Sequence, residues 1–204
     1  SSWQDFSGTK VALLGAGVEN SSLIPHLLPH GAKITICERN KARAESVKET
    51  FPAIELASGD GYLDSLDRFD VVFRSPGFPV ATVAKALKNF KSKPYSSSAT
   101  DLFLTLTHSK VIGVTGSKGK GTTSTMISSI LNAAGRHALV AGNIGRPIFN
   151  IFTDLTKDTI AVLELSSFQL EDLRHSPDIA VVLAISENDH LQPLSSDSPN
   201  FHAS

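Results

Sequence analysis

The sequence is short of cysteine, of net charge and of long apolar runs, and each shortage excludes a class of protein. One cysteine, Cys37, among 204 residues excludes an internal disulfide or a cysteine-rich zinc site. Lys and Arg total 19 and Asp and Glu total 20, so a net charge of -1 gives no electrostatic reason to expect a nucleic acid or an anionic membrane as partner. No apolar run reaches the roughly 20 residues of a membrane helix, and no signal peptide opens the chain. We therefore predict a cytoplasmic protein.

Short apolar runs alternate with helical patterns along the whole chain. Hydrophobic residues make up 41% of the sequence, which is the composition of a globular protein. Strands are predicted at residues 11–14, 34–37 and 71–73 and, after the pattern restarts, at residues 111–114, 138–141, 160–163 and 179–184. Strands that alternate with helices form parallel sheets covered by helices. We therefore predict an α/β fold of two Rossmann-like units with mainly parallel sheets, in domains 1–108 and 109–204.

The predicted second unit ends without the elements that would cover its sheet. Residues 185–204 are rich in Ser, Pro and Asn and contain no further strand or closing helix. Because parallel sheets normally have both faces covered, we expect this unit to be incomplete and the chain to be part of a longer protein.

A glycine-rich segment, residues 113–124, joins a predicted strand to a predicted amphipathic helix that ends at Gly135. The helix has apolar residues three or four positions apart, at Met126, Ile127, Ile130, Leu131 and Ala134. Backbone N–H groups at such a strand-to-helix turn, together with the helix N-terminus, bind phosphate oxygens. The segment therefore predicts a P-loop-type nucleotide site, and the alternative is a glycine-rich turn with a solvated lysine.

The sequence of this loop differs from the G-x-x-x-x-G-K-[ST] pattern at two positions: Val114 replaces the first glycine, and Gly121 replaces the Ser or Thr after the lysine. Lys120 is placed to reach the β and γ phosphates, and Thr122 or Thr123 offers a hydroxyl to magnesium. The predicted ATP-binding residues are Gly116, Ser117, Lys118, Gly119, Lys120, Gly121, Thr122 and Thr123.

Several segments resemble the Mur ligase family. The loop Thr115-Gly116-x-x-Gly119-Lys120 is similar to the shortened loop of Mur ligases and of folylpolyglutamate synthetases. Gly121, which stands between Lys120 and Thr122, resembles the folylpolyglutamate synthetases. The segments that resemble the D-glutamate-adding Mur ligases are Gly-Asn-Ile-Gly-Arg-Pro at 142–147, Leu-Glu-Leu-Ser-Ser-Phe-Gln-Leu-Glu at 163–171, Ser-Pro-Gly at 75–77 and Ala-Thr-Asp-Leu-Phe at 99–103. This resemblance covers nearly the whole chain, whereas folate ligases lack such a first domain.

The resemblance implies an ATP-dependent amide ligase of peptidoglycan precursor synthesis. It implies that D-glutamate is added to UDP-N-acetylmuramoyl-L-alanine through an acyl phosphate, with Mg²⁺ as cofactor. The sequence leaves the oligomeric state open, and a monomer is favoured. Phosphoryl transfer of this kind depends on positioning and charge neutralisation. The residues implied to be catalytic are Lys120, Asn143 and His190, those implied to bind the metal are Thr122, Glu164 and His190, and those implied to hold the muramoyl substrate are Asn143, Ser166 and Gln169.

Three of these residues can be weighed from the sequence as well. Glu164 ends an apolar strand, where a buried carboxylate is costly unless it meets a cation; the alternative is a helix cap or a surface acid. Asn143 beside a glycine is equally typical of a turn. His190 follows a strand end, where α/β sheets gather ligands, although a lone histidine in a polar loop is usually only solvated.

The chain also departs from the family's pattern. Gln192 and Pro193 stand where the family has Asp-Arg after His-Leu, which affects the surroundings of His190. The family's carbamoylated lysine beyond this histidine has no counterpart, because the last lysine is Lys157. The domain that recognises glutamate is also lacking, so we expect this segment alone to be incomplete for catalysis.

The first unit carries a second glycine turn. Gly15 and Gly17 follow the first strand and Glu38 ends the second, as in a dinucleotide-binding fold, but the third glycine of that fingerprint is replaced by Asn20. The resemblance instead implies UDP binding by Val18, Glu19, Asn20, Glu38, Arg39, Ser75 and Gly77. The alternatives are glycines that serve only a tight turn and a Glu38 that is a surface acid.

Two other functions stay open at this point. A folylpolyglutamate-synthetase-like ligase explains Gly121 but not the first hundred residues. A non-catalytic nucleotide-binding module or an NAD-binding protein explains both glycine turns without ATP turnover.

Overall fold

Two separate sheets, each with parallel strands, form the part of the chain that the computed structural model describes, residues 2–143 and 145–186. The first sheet has five strands in the order β3-β2-β1-β4-β5, and the second has four in the order β7-β8-β6-β9. Every strand pair in both sheets is parallel. The predicted α/β fold is confirmed, and its sheets are parallel throughout.

The first unit is built from the first sheet and four helices. Its elements are β1 Lys10–Leu14, α1 Val18–Leu27, β2 Lys33–Glu38, α2 Lys41–Thr50, β3 Glu55–Ser58, β4 Val71–Arg74, α3 Val80–Leu87, β5 Tyr95–Ser98 and α4 Ala99–Leu106. β1 lies at the centre, with β2 on one side and β4 on the other. Its residues 11–14 are fully buried, as expected for a central parallel strand of a sheet covered on both faces.

The second unit follows after a short linker. Its elements are β6 Lys110–Thr115, α5 Lys120–Ala133, β7 Ala138–Gly142, a 3-10 helix Ile148–Asp154, β8 Ile160–Glu164, α6 Ser167–Leu170 and β9 Ile179–Val182. The two sheets lie on either side of the domain boundary predicted at residue 108.

The strand predictions needed three corrections. β3 and β5 were missed, because Tyr-Ser-Ser-Ser in β5 has none of the apolar character of a buried strand, although Ser97 and Ser98 are buried. β9 ends at Val182 rather than at residue 184. The next two residues turn towards the glycine loop instead: the Leu183 N–H donates to the Thr115 carbonyl at 2.8 Å, and the Ser117 N–H donates to the Ala184 carbonyl at 3.1 Å.

Helix α5 packs on the sheet with only part of the predicted apolar set and with buried serines. Met126 and Ile130 are 58% and 61% exposed, whereas Ser124 and Ser128 are buried. Ser128 donates its hydroxyl to the Ala138 carbonyl at 3.2 Å. Ile127 and Leu131 of the predicted apolar set are partly buried against the core of the second sheet, so the apolar period was right for these two residues and missed the buried serines.

The two units share one hydrophobic core. Leu23 of α1 and Phe103 of α4 belong to the same buried cluster as Phe149 and Leu163 of the second unit. The rings of Phe103 and Phe149 pack edge to face with centroids 5.8 Å apart, an arrangement that adds to the burial of the rings. The His26 ring lies at hydrogen-bond distance, 2.9 Å, from the Phe149 carbonyl. The units are therefore packed against each other on apolar side chains.

Within residues 2–143 and 145–186, no helix has the length and apolar character needed to cross a membrane.

Candidate functional site

The predicted site residues follow the carboxyl ends of the parallel strands. In the second sheet β6, β7 and β8 end at Thr115, Gly142 and Glu164, and they are neighbours in register, with Val114 opposite Glu164 and Gly142 opposite Glu164. Ligands of parallel α/β sheets bind at this edge. The topology thus brings the glycine loop, Asn143 and Glu164 together.

The glycine loop between β6 and α5 is shaped for backbone groups rather than side chains. Gly116 has a φ of +139°, and a β-carbon there would lie 2.7 Å from the Leu183 β-carbon. Gly119 takes the left-handed conformation as the N-cap of α5, with a φ of 83°. A residue with a side chain would be strained at the first position and displaced by its neighbour, so the loop fits glycine there.

Lys120 folds back over this loop. Its Nζ donates to the Gly116 carbonyl at 2.7 Å and to the Ser117 carbonyl at 3.4 Å. Lys118 and Thr122 are exposed, and Thr123 is half-buried. The ammonium group of Lys120 therefore lies across the mouth of the turn, where the predicted phosphates would meet it.

Glu164 brings a buried carboxylate to the same place. It is 3% exposed, and its Oε1 has no hydrogen-bond partner among the described residues. A β-carbon on Gly121 would lie 3.2 Å from Glu164 Oε2, so the carboxylate adjoins the first turn of α5. Burial raises the pKa of Glu164 above its ordinary value, while the Lys120 charge and the Asn143 side chain act to lower it. A buried carboxylate with an unpaired oxygen is costly unless a cation lies beside it, and Mg²⁺ prefers carboxylate oxygens as ligands.

Backbone contacts hold Asn143 against Glu164. The Asn143 N–H donates to the Glu164 carbonyl at 3.0 Å, and the Asn143 side chain acts to lower the pKa of the Glu164 carboxyl. Gly142 has a φ of +140°, and a β-carbon there would lie 2.1 Å from the Glu164 carbonyl oxygen. Only a glycine allows the ends of β7 and β8 to approach this closely.

The first unit places its glycine turn in a similar position after β1. Glu38 accepts hydrogen bonds from the Ala16 N–H at 3.0 Å and the Asn40 N–H at 2.9 Å. Burial alone would raise the pKa of Glu38, but these N–H groups outweigh it and the pKa is lowered. Glu38 is 9% exposed and not a surface acid; in this structure it fixes the turn.

Asn20 is fully buried and ties the sheet to the turn. Its Nδ2 donates to the carbonyls of Leu14 at 2.8 Å, Gly15 at 3.2 Å and Phe73 at 3.3 Å. Ser75 lies beside the turn, because a β-carbon on Gly15 would be 2.8 Å from the Ser75 Oγ. The turn after β1 and the turn after β4 therefore form one surface.

Glu19 connects the first unit to the substrate residues predicted in the second. It is 8% exposed, and its Oε1 accepts a hydrogen bond from Gln169 Nε2 at 3.4 Å. Gln169 and Ser166 form a capping box at the start of α6, in which the Ser166 N–H donates to Gln169 Oε1 at 2.9 Å. Burial raises the pKa of Glu19 to about 7. Glu19, Ser166 and Gln169 thus lie together.

Other predicted residues are less closely joined to these two groups. Val18 is 73% exposed, and Gly77 is also exposed. Arg39 is exposed and lies 3.9 Å from Asp60. His190 lies outside the described residues. Among those residues no group of three or more His, Cys, Asp or Glu side chains has the geometry of a metal site, so a metal there would rely on ligand oxygens besides Glu164 and Thr122.

Sequence reasoning missed Arg74, which is 1% exposed at the end of β4 and bound to Asp172 at 2.6 Å. The only signal for it was an arginine that closes an apolar strand directly before Ser75.

The fold and the site define a two-unit parallel α/β protein with a P-loop-type glycine turn beside a buried carboxylate. Residues 114–197 match the Mur ligase middle domain family. Two curated relatives, both called UDP-N-acetylmuramoylalanine--D-glutamate ligase, come from Symbiobacterium thermophilum, 39% identical over 186 residues, and Clostridium botulinum, 37% identical over 182 residues. The chain belongs to the Mur ligase family.

Each alignment covers 88% of this chain and 40% of the relative, so the chain spans less than half the length of these relatives. The solved structure of UDP-N-acetylmuramate:L-alanyl-gamma-D-glutamyl-meso-diaminopimelate ligase from Neisseria meningitides is similar in fold, with a TM-score of 0.52 and 19% identity, over 87% of this chain and 61% of that one.

Residues 1–107 also match the Shikimate / quinate 5-dehydrogenase family. The match falls on the Rossmann-like first unit alone, where the dinucleotide fingerprint lacks its third glycine at Asn20. The curated ligases align across both units, and the family assignment rests on them and on the middle domain.

Proposed function

We propose that the chain supplies the UDP-binding unit and part of the ATP-binding unit of an ATP-dependent ligase that adds D-glutamate to UDP-N-acetylmuramoyl-L-alanine. The names of relatives that align over 88% of the chain support the reaction. One observation of the structure carries the ATP site: the Glu164 carboxylate is buried beside Lys120 and Asn143 with one oxygen unused.

The reaction takes two steps, each of which forms one bond and breaks one. The substrate carboxylate attacks the γ-phosphorus of ATP and ADP leaves; the amine of D-glutamate then attacks the acyl carbon, an amide bond forms and phosphate leaves. Backbone N–H groups of the glycine loop and the Lys120 ammonium would hold the phosphates. Such a transfer depends on positioning and charge neutralisation, which is what these groups offer.

The residues of the second unit fit a magnesium ion. Glu164 and the exposed Thr122 hydroxyl would hold it, since the unused Glu164 oxygen is the kind of ligand that Mg²⁺ binds. When bound, the ion would neutralise charge on the phosphates. Asn143, held beside Glu164 by its backbone bond to the Glu164 carbonyl, is proposed to contact the reacting carboxylate of the substrate. His190 is proposed as a further metal ligand, as the resemblance implies.

The first unit is proposed to bind the UDP group at the turns after β1, β2 and β4. Val18, Arg39 and Gly77 are accessible there, while Glu38 and Asn20 shape the turn. The muramoyl part would then extend to Ser166 and Gln169. A ligand of this length spans both units, and the Glu19–Gln169 contact already joins the places where its two parts would lie.

The soluble precursors of this reaction suit a cytoplasmic enzyme of peptidoglycan synthesis, and we propose that compartment together with a monomeric state.

Ligand titrations of the chain test this function. We expect UDP-N-acetylmuramoyl-L-alanine and Mg²⁺-ATP to bind, and Lys120→Ala to weaken Mg²⁺-ATP binding about tenfold or more because a charged phosphate contact is lost. Binding of the UDP substrate should be retained in this variant. Lys118→Ala is the matched control, since Lys118 is an exposed lysine of the same loop, and should change neither affinity more than about twofold.

The alternatives predict other results in the same titrations. Binding of folate without the UDP substrate would favour a folate-type ligase. Quenching or enhancement of NADH fluorescence without UDP-substrate binding would favour a dinucleotide-binding protein, as the match of the first unit allows.

A further inference from the structure

Arg74 is a buried arginine that bonds to both units at once. It closes β4 of the first unit and is 1% exposed. Its Nε donates to Asp172 Oδ2 at 2.6 Å, and one terminal nitrogen donates to Asp172 Oδ1 at 2.7 Å. The same nitrogen donates to the Phe168 carbonyl at 2.6 Å. Asp172 and Phe168 belong to the second unit, so this guanidinium spans the junction.

The remaining nitrogen of Arg74 faces the first unit. It donates to the Phe78 carbonyl at 3.3 Å, and the Phe78 N–H donates to the Ser75 carbonyl at 2.9 Å. The Phe78–Ser75 backbone bond therefore closes the turn that contains Ser75 and Gly77, two of the predicted UDP contacts, and Arg74 adds only its 3.3 Å contact there. On its other side it holds Phe168, which lies between Ser166 and Gln169.

The chemistry at this point is specific to arginine. A guanidinium is a planar fork that binds a carboxylate through two parallel hydrogen bonds and has further donors for carbonyls, whereas a lysine ammonium is a single point charge. Taking a charge out of water is costly, and here the cost is offset by an ion pair and two carbonyl contacts. The burial of Arg74 also means that it does not touch a ligand itself.

A second set of contacts supports the same junction. The connector, residues 171–178 between α6 and β9, also lies against the first unit through Arg174. The Arg174 N–H donates to Asp101 Oδ1 at 2.9 Å, and its guanidinium donates to Asp101 Oδ2 at 3.4 Å and to the Ser96 carbonyl at 2.5 Å. The Arg174 guanidinium is also 4.4 Å from the centre of the Tyr95 ring. The connector is thus held to the first unit at two residues, Asp172 and Arg174.

We propose that Arg74 is a positioning residue that sets the spacing between the UDP-binding turns of the first unit and Ser166 and Gln169 of the second. The inference rests on the proposed function and deepens it. A ligand confined to the first unit, such as UDP, does not depend on this spacing. A ligand that reaches from the turn at Ser75 to Gln169 does, so Arg74 determines how well the chain binds the portion of the substrate beyond the nucleotide.

The test compares two ligands of different length by isothermal titration calorimetry on the chain. Wild type, Arg74→Lys, Asp172→Asn and the double variant are titrated with UDP and with UDP-N-acetylmuramoyl-L-alanine. We expect UDP affinity to stay within about twofold in every variant, while affinity for the longer ligand falls about tenfold in each single variant. The double variant should lose no more than either single one, because both changes break the same ion pair.

Arg68→Lys is the matched control, since Arg68 is an exposed arginine of the same unit whose guanidinium lies 4.8 Å from the Phe69 ring. It should leave both affinities unchanged. Circular dichroism and the urea midpoint of each variant show whether it is folded, and Asp172→Asn provides the test from the second unit if Arg74→Lys does not fold.

Equal losses for UDP and the longer ligand, or no loss for either, would overturn the role of Arg74. The wild-type titration judges the proposed function separately: a chain that binds UDP but not the muramoyl ligand contradicts the substrate, whatever the variants do.

Discussion

Glu19 should make the free energy of unfolding depend on pH, and the substitution Glu19→Gln should remove that dependence. The carboxyl is buried, its Oε2 has no hydrogen-bond partner among the described residues, and burial raises its pKa from the ordinary 4.5 to about 7. The folded state therefore holds the proton more tightly than the unfolded state does. The stabilisation that this proton gives is complete below a pH of about 4.5 and is lost as the pH rises through about 7.

The size of the effect follows from the shift. One pKa unit corresponds to about 1.4 kcal/mol, so a shift from 4.5 to about 7 is worth about 3 kcal/mol in the free energy of unfolding. Between about pH 5 and pH 8 the wild type should lose roughly 2 to 3 kcal/mol through this group. Glu19→Gln replaces the protonated form with a neutral amide that still accepts from Gln169, and it removes this loss.

The measurement is urea unfolding of both proteins at about pH 5 and about pH 8, followed by circular dichroism. The wild type should be close to the variant in stability at the lower pH and less stable at the higher one. Glu49→Gln, which removes an exposed carboxyl of α2, is the control and should follow the wild type. A difference between wild type and Glu19→Gln that is the same at both pH values would refute the reasoning about burial.

Two further predictions concern the second unit. Glu164→Gln should reduce the factor by which Mg²⁺ raises ATP affinity about tenfold, because a carboxylate ligand is lost. The free energy of unfolding should stay unchanged or rise, because a buried carboxylate with an unused oxygen is removed. ATP titrations with and without Mg²⁺ check the first point, and an undiminished effect of Mg²⁺ in the variant would contradict the metal role. Gly142→Ala should lower the free energy of unfolding by about 3 kcal/mol or more, since its β-carbon would lie 2.1 Å from the Glu164 carbonyl oxygen. Urea unfolding measures it, and Gly17→Ala, where a β-carbon meets nothing within 4 Å, should cost no more than about 1 kcal/mol; equal costs at the two glycines would be evidence against the close approach.

The sequence was most informative where the local pattern and the tertiary structure agree. The central strands β1, β2, β6 and β8 are apolar because both faces of a parallel sheet are covered, so their positions were predicted to within a residue or two. The edge strand β5 is stabilised by pairing with β4 and by hydrogen bonds of its serines rather than by apolar burial, for example from Ser97 to Asp101 at 2.9 Å. Such a strand carries no apolar signal to detect.

The same limit applies to the candidate site. Lys120, Asn143 and Glu164 lie at or just after strand ends, and the rule that ligands bind at this edge predicts that they lie close together. Arg74 and Asp172 are 98 positions apart, and nothing in the local sequence of either residue indicates the other. The orientation of Glu19 towards Gln169 depends on how the units pack, which the local sequence does not indicate.

The connector gives the chain an order of assembly. It follows α6 and returns to the second sheet, where Asp178 accepts from the Val111 N–H at 2.7 Å, before β9 pairs with β6. In between it is anchored on Asp101. Since domains fold from the N-terminus during synthesis, that anchor emerges from the ribosome some seventy residues ahead of Arg174. The contacts that hold the connector therefore belong to a unit whose residues are synthesised before β9, the last strand of the second sheet among the described residues.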